Sequence, residues 1–419
     1  MSDPLQQNSR DSSGKKKRVN VRRPDVMALV QAEVEQHYRS SIVEKIRSHN
    51  GEVTIGNTTI RLAKQFGFCY GVERAIDLAY ATRKVFTDQR IFLIGEIIHN
   101  PEVNKQLRDM GIVSLPWKNL TEEYDDLGED DVVIVPAFGA PTHFMDRLAA
   151  IGCHVVDTTC GDVMKVWRRV RDYAKNQVTS IIHGKADHEE TRATASRALG
   201  PDKDGHYLII LSLDDANYVC DYMLNGGDKV AFMEKFTKAH SEGFDPDLHL
   251  TRVGVANQTT MLQSETEALQ DKIRQAVMDR DGSTENYHVF DTICGATQER
   301  QNALFSMLDK AQQEPMDVLL VVGGYNSSNT THLAEIGQES LPTFFIRNAK
   351  CIQSLETIVH YDLAQHKEVE KNYQGLILQD QPVIIGVTAG ASCPNNLIES
   401  TIVRIMELRG ITRDQIEAL

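Results

Sequence analysis

The residues best suited to chemistry in this chain are three cysteines that share one local setting. The string HVVDTTCG, which ends at Gly161, returns as HVFDTICG, which ends at Gly295, and GFCYGVERA carries a third cysteine. In each place a β-rich run ends, the cysteine follows and an amphipathic helical pattern begins. Cys69, Cys160 and Cys294 are therefore predicted at helix N-termini, where backbone N–H groups and the helix dipole favour a thiolate. The repetition suggests three domains that each contribute one ligand to a shared centre.

The ligand set narrows the kind of metal centre. The close C-x2-C and H-x3-H pairs of zinc sites and the C-x2-C-x2-C run of ferredoxins are absent from the sequence. Three thiolates suit a 4Fe-4S cluster in which one iron has no protein sulfur. Such an iron can bind a substrate oxygen while the cluster supplies electrons. The remaining cysteines are interpreted as packing thiols; they are Cys153, Cys220, Cys351 and Cys393.

Polar groups collect where six predicted strands end. Beyond residue 60, short β-branched runs alternate with helical periodicity, which is the pattern of parallel α/β layers. Ligands bind beyond the carboxyl ends of the strands in such sheets. Taken singly, each group also has an ordinary interpretation as a loop histidine, a helix-start carboxylate or a cap, although a capped helix N-terminus is itself an anion site. The groups are His99-Asn100, Phe138-Gly139, His188 to Glu190, Gln258 to Thr260, Ser327-Ser328-Asn329 and Ser392.

Composition excludes some classes of protein. The net charge of −14 argues against a nucleic-acid partner, which would require a basic surface. No apolar run reaches the 18 residues of a membrane span and no signal peptide follows Met1, so a soluble, cytoplasmic protein is expected. Seven cysteines scattered through the chain do not indicate a disulfide framework.

The first sixty residues differ from the rest. From Arg10 to Arg23 there are seven Lys or Arg and one Asp, which predicts a disordered basic arm. A helix over 25–49 is predicted to follow. The arm is interpreted as a solubilising tail or as a docking segment for an acidic protein; its lysines and acids fit a plastid transit peptide poorly. The predicted domains are an extension over 1–60 and three α/β domains, over 61–159, 160–293 and 294–419, the last of which includes the C-terminal segment.

Eight motifs, taken together, resemble a known family. In chain order they are GFCYGVERA, EIIHNPEVN, VVDTTCG, HGKADHEET, ANQTTM, DTICGATQERQ, VVGGYNSSNTTHL and GVTAGASCP. Their order and spacing over about residues 60 to 410 resemble the LytB/IspH family of 4-hydroxy-3-methylbut-2-enyl diphosphate reductases, most closely its cyanobacterial and plant branch.

The resemblance implies a fold, a cofactor and a reaction. The fold would be a three-lobed arrangement of α/β domains around one 4Fe-4S cluster held by Cys69, Cys160 and Cys294. The reaction would be the reductive dehydration of an allylic diphosphate to isopentenyl and dimethylallyl diphosphate in the non-mevalonate pathway. A one-electron donor such as ferredoxin or flavodoxin is implied as partner, with no nucleic acid and no membrane.

The resemblance also implies roles for individual residues. Glu190 would donate a proton and Thr259 would relay or orient it. Two positions depart from the family: Phe138 stands where many members have histidine, and Gly161 stands where proline commonly follows the second cysteine. Substrate binding would fall to His99, His188, Ser327, Ser328, Asn329 and Ser392.

Other functions are compatible with three cysteines alone. Quinolinate synthase and the diphthamide-forming enzymes also place three cysteines around one cluster, and a redox sensor or electron carrier would need neither an acid nor an anion site. The HEE, NQTT and SSN strings favour the reductase over these alternatives.

Overall fold

The computed structural model describes residues 21–117, 126–290, 293–372, 377 and 380–418. The basic arm lies outside the described residues, apart from its last three, which are Val21 to Arg23.

The described residues form both helices and strands in alternation. The helices are α1 (Pro24–Tyr38), α2 (Ser41–Ser48), α3 (Tyr70–Val85), α4 (Pro101–Asp109), α5 (Thr142–Ile151), α6 (Gly161–Lys175), α7 (Glu189–Ala198), α8 (Leu213–Asn225), α9 (Lys229–Lys235), α10 (Pro246–His249), α11 (Gln263–Asp281), α12 (Gly295–Ala311), α13 (Ser328–Gln338), α14 (Asn395–Leu408) and α15 (Arg413–Glu417), with a short 3-10 helix at Ala349–Cys351. The strands are β1 (Glu52–Ile55), β2 (Thr58–Leu62), β3 (Ile91–Ile94), β4 (Ile112–Leu115), β5 (Val132–Val135), β6 (His154–Asp157), β7 (Thr179–His183), β8 (Tyr207–Ile210), β9 (Val253–Asn257), β10 (Tyr287–Val289), β11 (Val318–Val322), β12 (Thr343–Ile346), β13 (Thr357–Asp362), β14 (Lys367–Asn372) and β15 (Val383–Ala389).

The elements predicted around the functional motifs are present. α3, α6 and α12 each begin one residue after a repeated cysteine. The six strands with polar ends form as β3, β5, β7, β9, β11 and β15. The expected α/β class with parallel sheets is therefore confirmed; the three-lobed arrangement and the domain limits stay predictions.

The chain divides into two compact units. The first contains residues 85–97 and 111–294, and the second contains residues 22–84, 98–110 and 295–418.

The first unit holds two parallel four-stranded sheets, in the orders β4-β3-β5-β6 and β10-β9-β7-β8. In the second of these sheets, alternate residues of β9 face opposite layers, as the pleat requires. Val253 and Val255 pack in a core with α8 and α11, whereas Ala256 packs with Val166 and Val170 of α6. Helices therefore cover both faces of this sheet, which is the usual arrangement for parallel strands.

The second unit holds a five-stranded sheet in the order β1-β2-β15-β11-β12, in which only the β1–β2 pair is antiparallel, and a β13–β14 hairpin. Every residue of β11 is buried, as expected for a central parallel strand. The register pairs Val322 of β11 with Ala389 of β15, so both strands end side by side. The Ser-Ser-Asn run and Ser392 follow these two ends.

One predicted helix is wrong. The expected single helix over 25–49 is two helices, α1 and α2, separated by Arg39 and Ser40. Ser40 has extended backbone angles and its hydroxyl accepts the N–H of Val43 at 2.9 Å, so it caps a new helix. The apolar periodicity continued across the break and concealed it.

No helix in the described part of the chain combines the length and the apolar character needed to cross a bilayer.

Candidate functional site

In the first unit, two of the repeated cysteines are fixed through their backbones. Cys160 is the N-cap of α6, and its N–H donates to the carbonyl of Ala137 at 2.8 Å. The N–H of Cys294 donates to the carbonyl of Thr259 at 3.2 Å. Both cysteines are only partly buried. Residues that follow β5 and β9 thus hold the backbones of these two cysteines.

A buried acid lies beside the second of these contacts. Glu190, on the first turn of α7, is 3% exposed. Its Oε1 accepts the backbone N–H of Thr259 at 2.6 Å, and its Oε2 accepts the Thr259 hydroxyl at 3.0 Å. Two donors from one residue fix both carboxyl oxygens. The same Thr259 therefore contacts the acid through its N–H and hydroxyl and Cys294 through its carbonyl.

His188 is the N-cap of α7, and its side chain has a defined protonation pattern. The ring Nδ1 accepts the N–H of Glu190 at 3.1 Å, so Nδ1 carries no proton and the ring proton is on Nε2. The ring of Phe138 meets the His188 ring edge-on, with centroids 6.3 Å apart. Phe138, which stands where many family members have histidine, therefore packs its ring against the His188 ring.

In the second unit, the loop before Cys69 is held by two neighbours. The Cys69 N–H donates to the carbonyl of Ala391 at 3.2 Å. Two residues earlier, Gly67 has a φ of +78°, and a Cβ there would lie 2.8 Å from Asn395 Oδ1. The positive φ therefore favours glycine here, and a larger residue would also have to displace the Asn395 side chain.

The carbonyl of Gly67 has a charged partner that sequence reasoning missed. Arg300 of α12 is 3% exposed and donates to this carbonyl through two nitrogens, at 3.1 and 2.6 Å. It also donates to the carbonyl of Ala296 at 2.8 Å. A buried guanidinium thus ties the loop of Cys69 to the first turns of the helix that follows Cys294. Arg300 could have been noticed in the sequence because it lies in the ATQERQ string that closely follows Cys294.

The predicted hydroxyl and amide groups of the second unit come together. Ser327 is the N-cap of α13 and accepts from the Ser392 hydroxyl at 3.3 Å. The Ser392 hydroxyl is also 3.3 Å from the carbonyl of His99. Asn329 Oδ1 accepts the N–H of Ala391 at 2.8 Å. A buried, polar N-terminus of α13 results, which is a suitable site for an anion.

The amide nitrogen of Asn329 indicates which kind of ligand this cluster would bind. Nδ2 is buried and has no hydrogen-bond partner among the residues that the structure describes. Leaving such a donor unsatisfied costs about 1–3 kcal/mol, so a ligand acceptor is expected. Ser328 is 4% exposed in the same helical turn.

Two further residues position this cluster. Asn100 caps α4 and its Nδ2 donates to the carbonyl of Ser392 at 2.9 Å. A Cβ on Gly324 would lie 2.2 Å from the carbonyl oxygen of His99, so only glycine allows this approach. Sequence reasoning had placed Asn100 at a strand end without giving it a role.

Three of the other four cysteines are more deeply buried than the repeated three. Cys153, Cys351 and Cys393 are buried, and burial raises the pKa of the Cys393 thiol. Burial also raises the pKa of Cys220 to about 11. All seven cysteines are among the described residues and none forms a disulfide. Cluster ligands must be thiolates, so the raised pKa values of Cys220 and Cys393 disfavour these two as ligands.

Cysteines at helix N-termini, a buried acid and a polar helix N-terminus are features of an enzyme with a metal centre and an anionic substrate. The model of the LytB protein family matches residues 60–406. The 4-hydroxy-3-methylbut-2-enyl diphosphate reductase of Thermosynechococcus vestitus is 47% identical over 386 residues, which cover 91% of this chain and 92% of the relative. That of Gloeobacter violaceus is 46% identical over 393 residues, which cover 92% and 91%.

Solved structures agree with these relatives. A structure of (E)-4-hydroxy-3-methyl-but-2-enyl diphosphate reductase, described as the terminal enzyme of the non-mevalonate pathway, covers 84% of this chain and 100% of its own, with 25% identity and a TM-score of 0.50. The Plasmodium falciparum reductase covers 83% and 87%, with 22% identity and a TM-score of 0.59. The chain belongs to the LytB family, an oxidoreductase family of isoprenoid biosynthesis, and the resemblance inferred from the sequence is confirmed.

Proposed function

We propose that this protein converts 4-hydroxy-3-methylbut-2-enyl diphosphate to isopentenyl and dimethylallyl diphosphate, with one 4Fe-4S cluster per chain. The observation that carries the proposal is the Glu190–Thr259 pair. The buried acid is bonded to the hydroxyl of Thr259, and the carbonyl of the same Thr259 accepts the N–H of Cys294. This arrangement is suited to delivering a proton beside a metal centre. An electron carrier would have no use for such an acid.

The cluster would be held by Cys69, Cys160 and Cys294. Each precedes or caps a helix and each is partly exposed, which is a setting that favours a thiolate. When bound, a cluster with three protein sulfurs supplies electrons one at a time and an iron that can take an oxygen ligand.

Proton delivery falls to Glu190 and Thr259. In its acid form, Glu190 would donate from Oε2 to the Thr259 hydroxyl, 3.0 Å away, while Oε1 stays bonded to the Thr259 N–H. The hydroxyl would pass its own proton to the departing oxygen of the substrate, which leaves as water. Because the backbone N–H fixes the carboxyl group, the proton path needs no side-chain rearrangement.

Substrate binding relies on neutral donors at the N-terminus of α13. Ser327, Ser328 and Asn329 offer hydroxyl and amide groups beside the positive end of the helix dipole, and Ser392 joins them. His99, whose carbonyl contacts Ser392, and His188, whose Nε2 carries the ring proton, would add imidazole donors. Oriented neutral groups of this kind bind a diphosphate without a Lys/Arg clamp.

The reaction balances with two electrons and two protons. The C–O bond to the terminal hydroxyl breaks and its oxygen leaves as water with the first proton. The second proton adds at one end or the other of the allyl system, which gives the two isomeric products. The electrons would come from a one-electron donor such as ferredoxin or flavodoxin.

Anaerobic reconstitution followed by turnover tests this function. We expect about four iron and four sulfide per chain, and oxidation of reduced methyl viologen that depends on the diphosphate substrate. A stable cluster without substrate-dependent oxidation would indicate an electron carrier or another three-cysteine enzyme of the quinolinate synthase type, and the proposal would be wrong.

A further inference from the structure

The helix that follows Cys160, α6, is unusually positive for this protein. α6 contains five Lys or Arg and two Asp, a net charge of +3 in a chain whose total is −14. It is the most positive of the helices in the described residues. Its cations are Lys165, Arg168, Arg169, Arg171 and Lys175.

These cations form an exposed stripe. Lys165, Arg168, Arg171 and Lys175 are exposed, and they recur at spacings of three or four residues, which places them along one side of the helix. Asp162 is bonded to Lys165 at 2.6 Å on the first turn. Exposed Asp172 lies among the later cations, so the helix keeps a net charge of +3 and not the full +5. Beyond the helix, exposed Arg252 donates to the carbonyl of Asn176 at 2.9 Å and extends the positive region.

An exposed aromatic side chain lies against this stripe. The guanidinium carbon of Arg169 is 3.8 Å from the ring centre of Phe290, which is 38% exposed. Val289 beside it is 48% exposed and ends β10, which is one of the two edge strands of its sheet. Exposed apolar side chains surrounded by charged ones are typical of a protein-binding surface, and Val289 and Phe290 beside the α6 cations form such a group.

We infer that this α6 surface, formed by the five cations of α6 with Val289 and Phe290, is the docking site of an acidic one-electron carrier protein. The inference rests on the proposed function, because only a redox enzyme needs such a carrier. Cys160, a proposed cluster ligand, caps α6. Arg168 is eight residues beyond Cys160, about 12 Å along the helix axis. A carrier docked there is brought close to Cys160.

Charge complementarity favours this partner. An acidic carrier would be repelled by a body with a net charge of −14 unless a local positive surface attracts it. A carrier must also leave after each electron, which suits a small, salt-sensitive contact of this kind.

The test is a double charge reversal with a matched control. R168E/R171E changes the α6 surface, whereas K272E/R274E makes the same change in net charge at exposed positions of α11. α11 packs on the opposite face of the same sheet, as the β9 contacts show. Both variants are compared with the unaltered full chain, in holoenzyme form.

With reduced plant-type ferredoxin as donor, R168E/R171E should lower kcat/KM for the donor about tenfold or more at low ionic strength. The deficit should nearly vanish at about 1 M salt, where the screening length is about 3 Å. K272E/R274E should remain within about twofold of the unaltered chain. Calorimetric binding of oxidised ferredoxin should follow the same pattern, since it does not depend on turnover.

Methyl viologen separates this inference from the proposed function. Viologen-driven turnover should be equal in all three proteins. Absence of that turnover in the unaltered chain would defeat the proposed function, whereas equal ferredoxin kinetics in both charge variants would defeat only the α6 docking site.

A further variant neutralises Lys15 to Arg18 of the basic arm by alanine in the full chain. If this variant alone loses ferredoxin-driven activity, the arm is the docking segment and the inference is overturned. Phe290→Ser should weaken ferredoxin binding at every salt concentration, because its contribution is apolar.

Discussion

Replacing Glu190 with glutamine should separate proton transfer from substrate binding. Glutamine has the same shape, its oxygen can keep the bond to the Thr259 N–H, and its NH2 group can donate to the Thr259 hydroxyl in place of accepting from it. The variant therefore keeps a partner for each polar atom of the buried side chain and loses the carboxyl group that can carry a proton.

The expected magnitudes follow from those contacts. The cost in the free energy of unfolding should be about 1 kcal/mol, the difference between charged and neutral hydrogen bonds. Substrate affinity should stay within about tenfold, or about 1.4 kcal/mol. Turnover should fall by about 10² or more, the usual contribution of a positioned acid.

The assay uses two measurements on the anaerobically reconstituted variant. Viologen oxidation at saturating substrate gives kcat, and calorimetry on the oxidised enzyme gives the substrate affinity. Iron and sulfide content must equal that of the unaltered chain, so that a lower kcat is not a loss of cluster.

Two substitutions at Thr259 act as controls on the relay. Thr259→Ser keeps the hydroxyl and should retain most of the turnover, whereas Thr259→Val removes the hydroxyl and leaves the backbone N–H that holds Glu190. Near-normal kcat in Glu190→Gln would remove the acid from the mechanism. Equal losses in the Ser and Val variants would show that the hydroxyl does not carry the proton.

Four other predictions follow from the site and its surroundings. Serine at any of the three proposed ligand cysteines should reduce iron content and abolish turnover, and serine at Cys220 should do neither; equal iron loss at Cys220 would show that the trio is wrong. Asn329→Ala should weaken substrate binding by about 1–3 kcal/mol, measured by calorimetry, because a buried anion loses a donor; unchanged affinity would place the diphosphate elsewhere. Arg300→Met should shift the midpoint potential of the cluster to more negative values, measured by spectroelectrochemistry, because a buried positive charge favours the reduced state; Arg300→Lys should shift it less, and an unchanged potential would leave Arg300 a purely structural role. Burial lowers the pKa of both His206 and His249, whose rings stack 3.6 Å apart, so the unfolded chain takes up more protons once the pH falls below the ordinary histidine value of about 6.5. The free energy of unfolding should therefore fall as the pH decreases below about 6.5. Denaturant titrations of His249→Gln should show a shallower decrease, and an identical pH dependence would exclude this pair as its source.

Much of the local structure around the candidate residues could be predicted from the sequence because its signals are local. A cysteine placed between a β-rich run and a helical pattern occupies a helix N-terminus whatever the rest of the chain does, and this held for Cys69, Cys160 and Cys294. Polar residues at the ends of apolar strands were equally local, and all six of those strands formed.

Local sequence patterns do not always determine where one helix ends and the next begins. The apolar stripe over 25–49 was compatible with one helix, and the decision between one helix and two fell to the cap at Ser40. A capping hydroxyl is visible in sequence, but serine is common and its backbone angles are not encoded by its neighbours alone.

Contacts between distant residues were decided by tertiary structure. The sequence did not indicate that Arg300 would hold the carbonyl of Gly67, 233 positions away, or that the Asn100 amide would hold the carbonyl of Ser392. Glu190 and Thr259, 69 positions apart, were each named, but their hydrogen bonds depend on how α7 and the end of β9 are placed.

The physical reason lies in strand pairing. The parallel pairing of β2 with β15 joins residues 58–62 to 383–387, and the N–H of Cys69 then reaches the carbonyl of Ala391. Such pairing is selected by burial of whole sheet faces and not by any local motif, since a parallel neighbour can lie anywhere along the chain. The sequence alone thus indicated which groups are candidates for the chemistry, and tertiary structure determined which groups hold them in place.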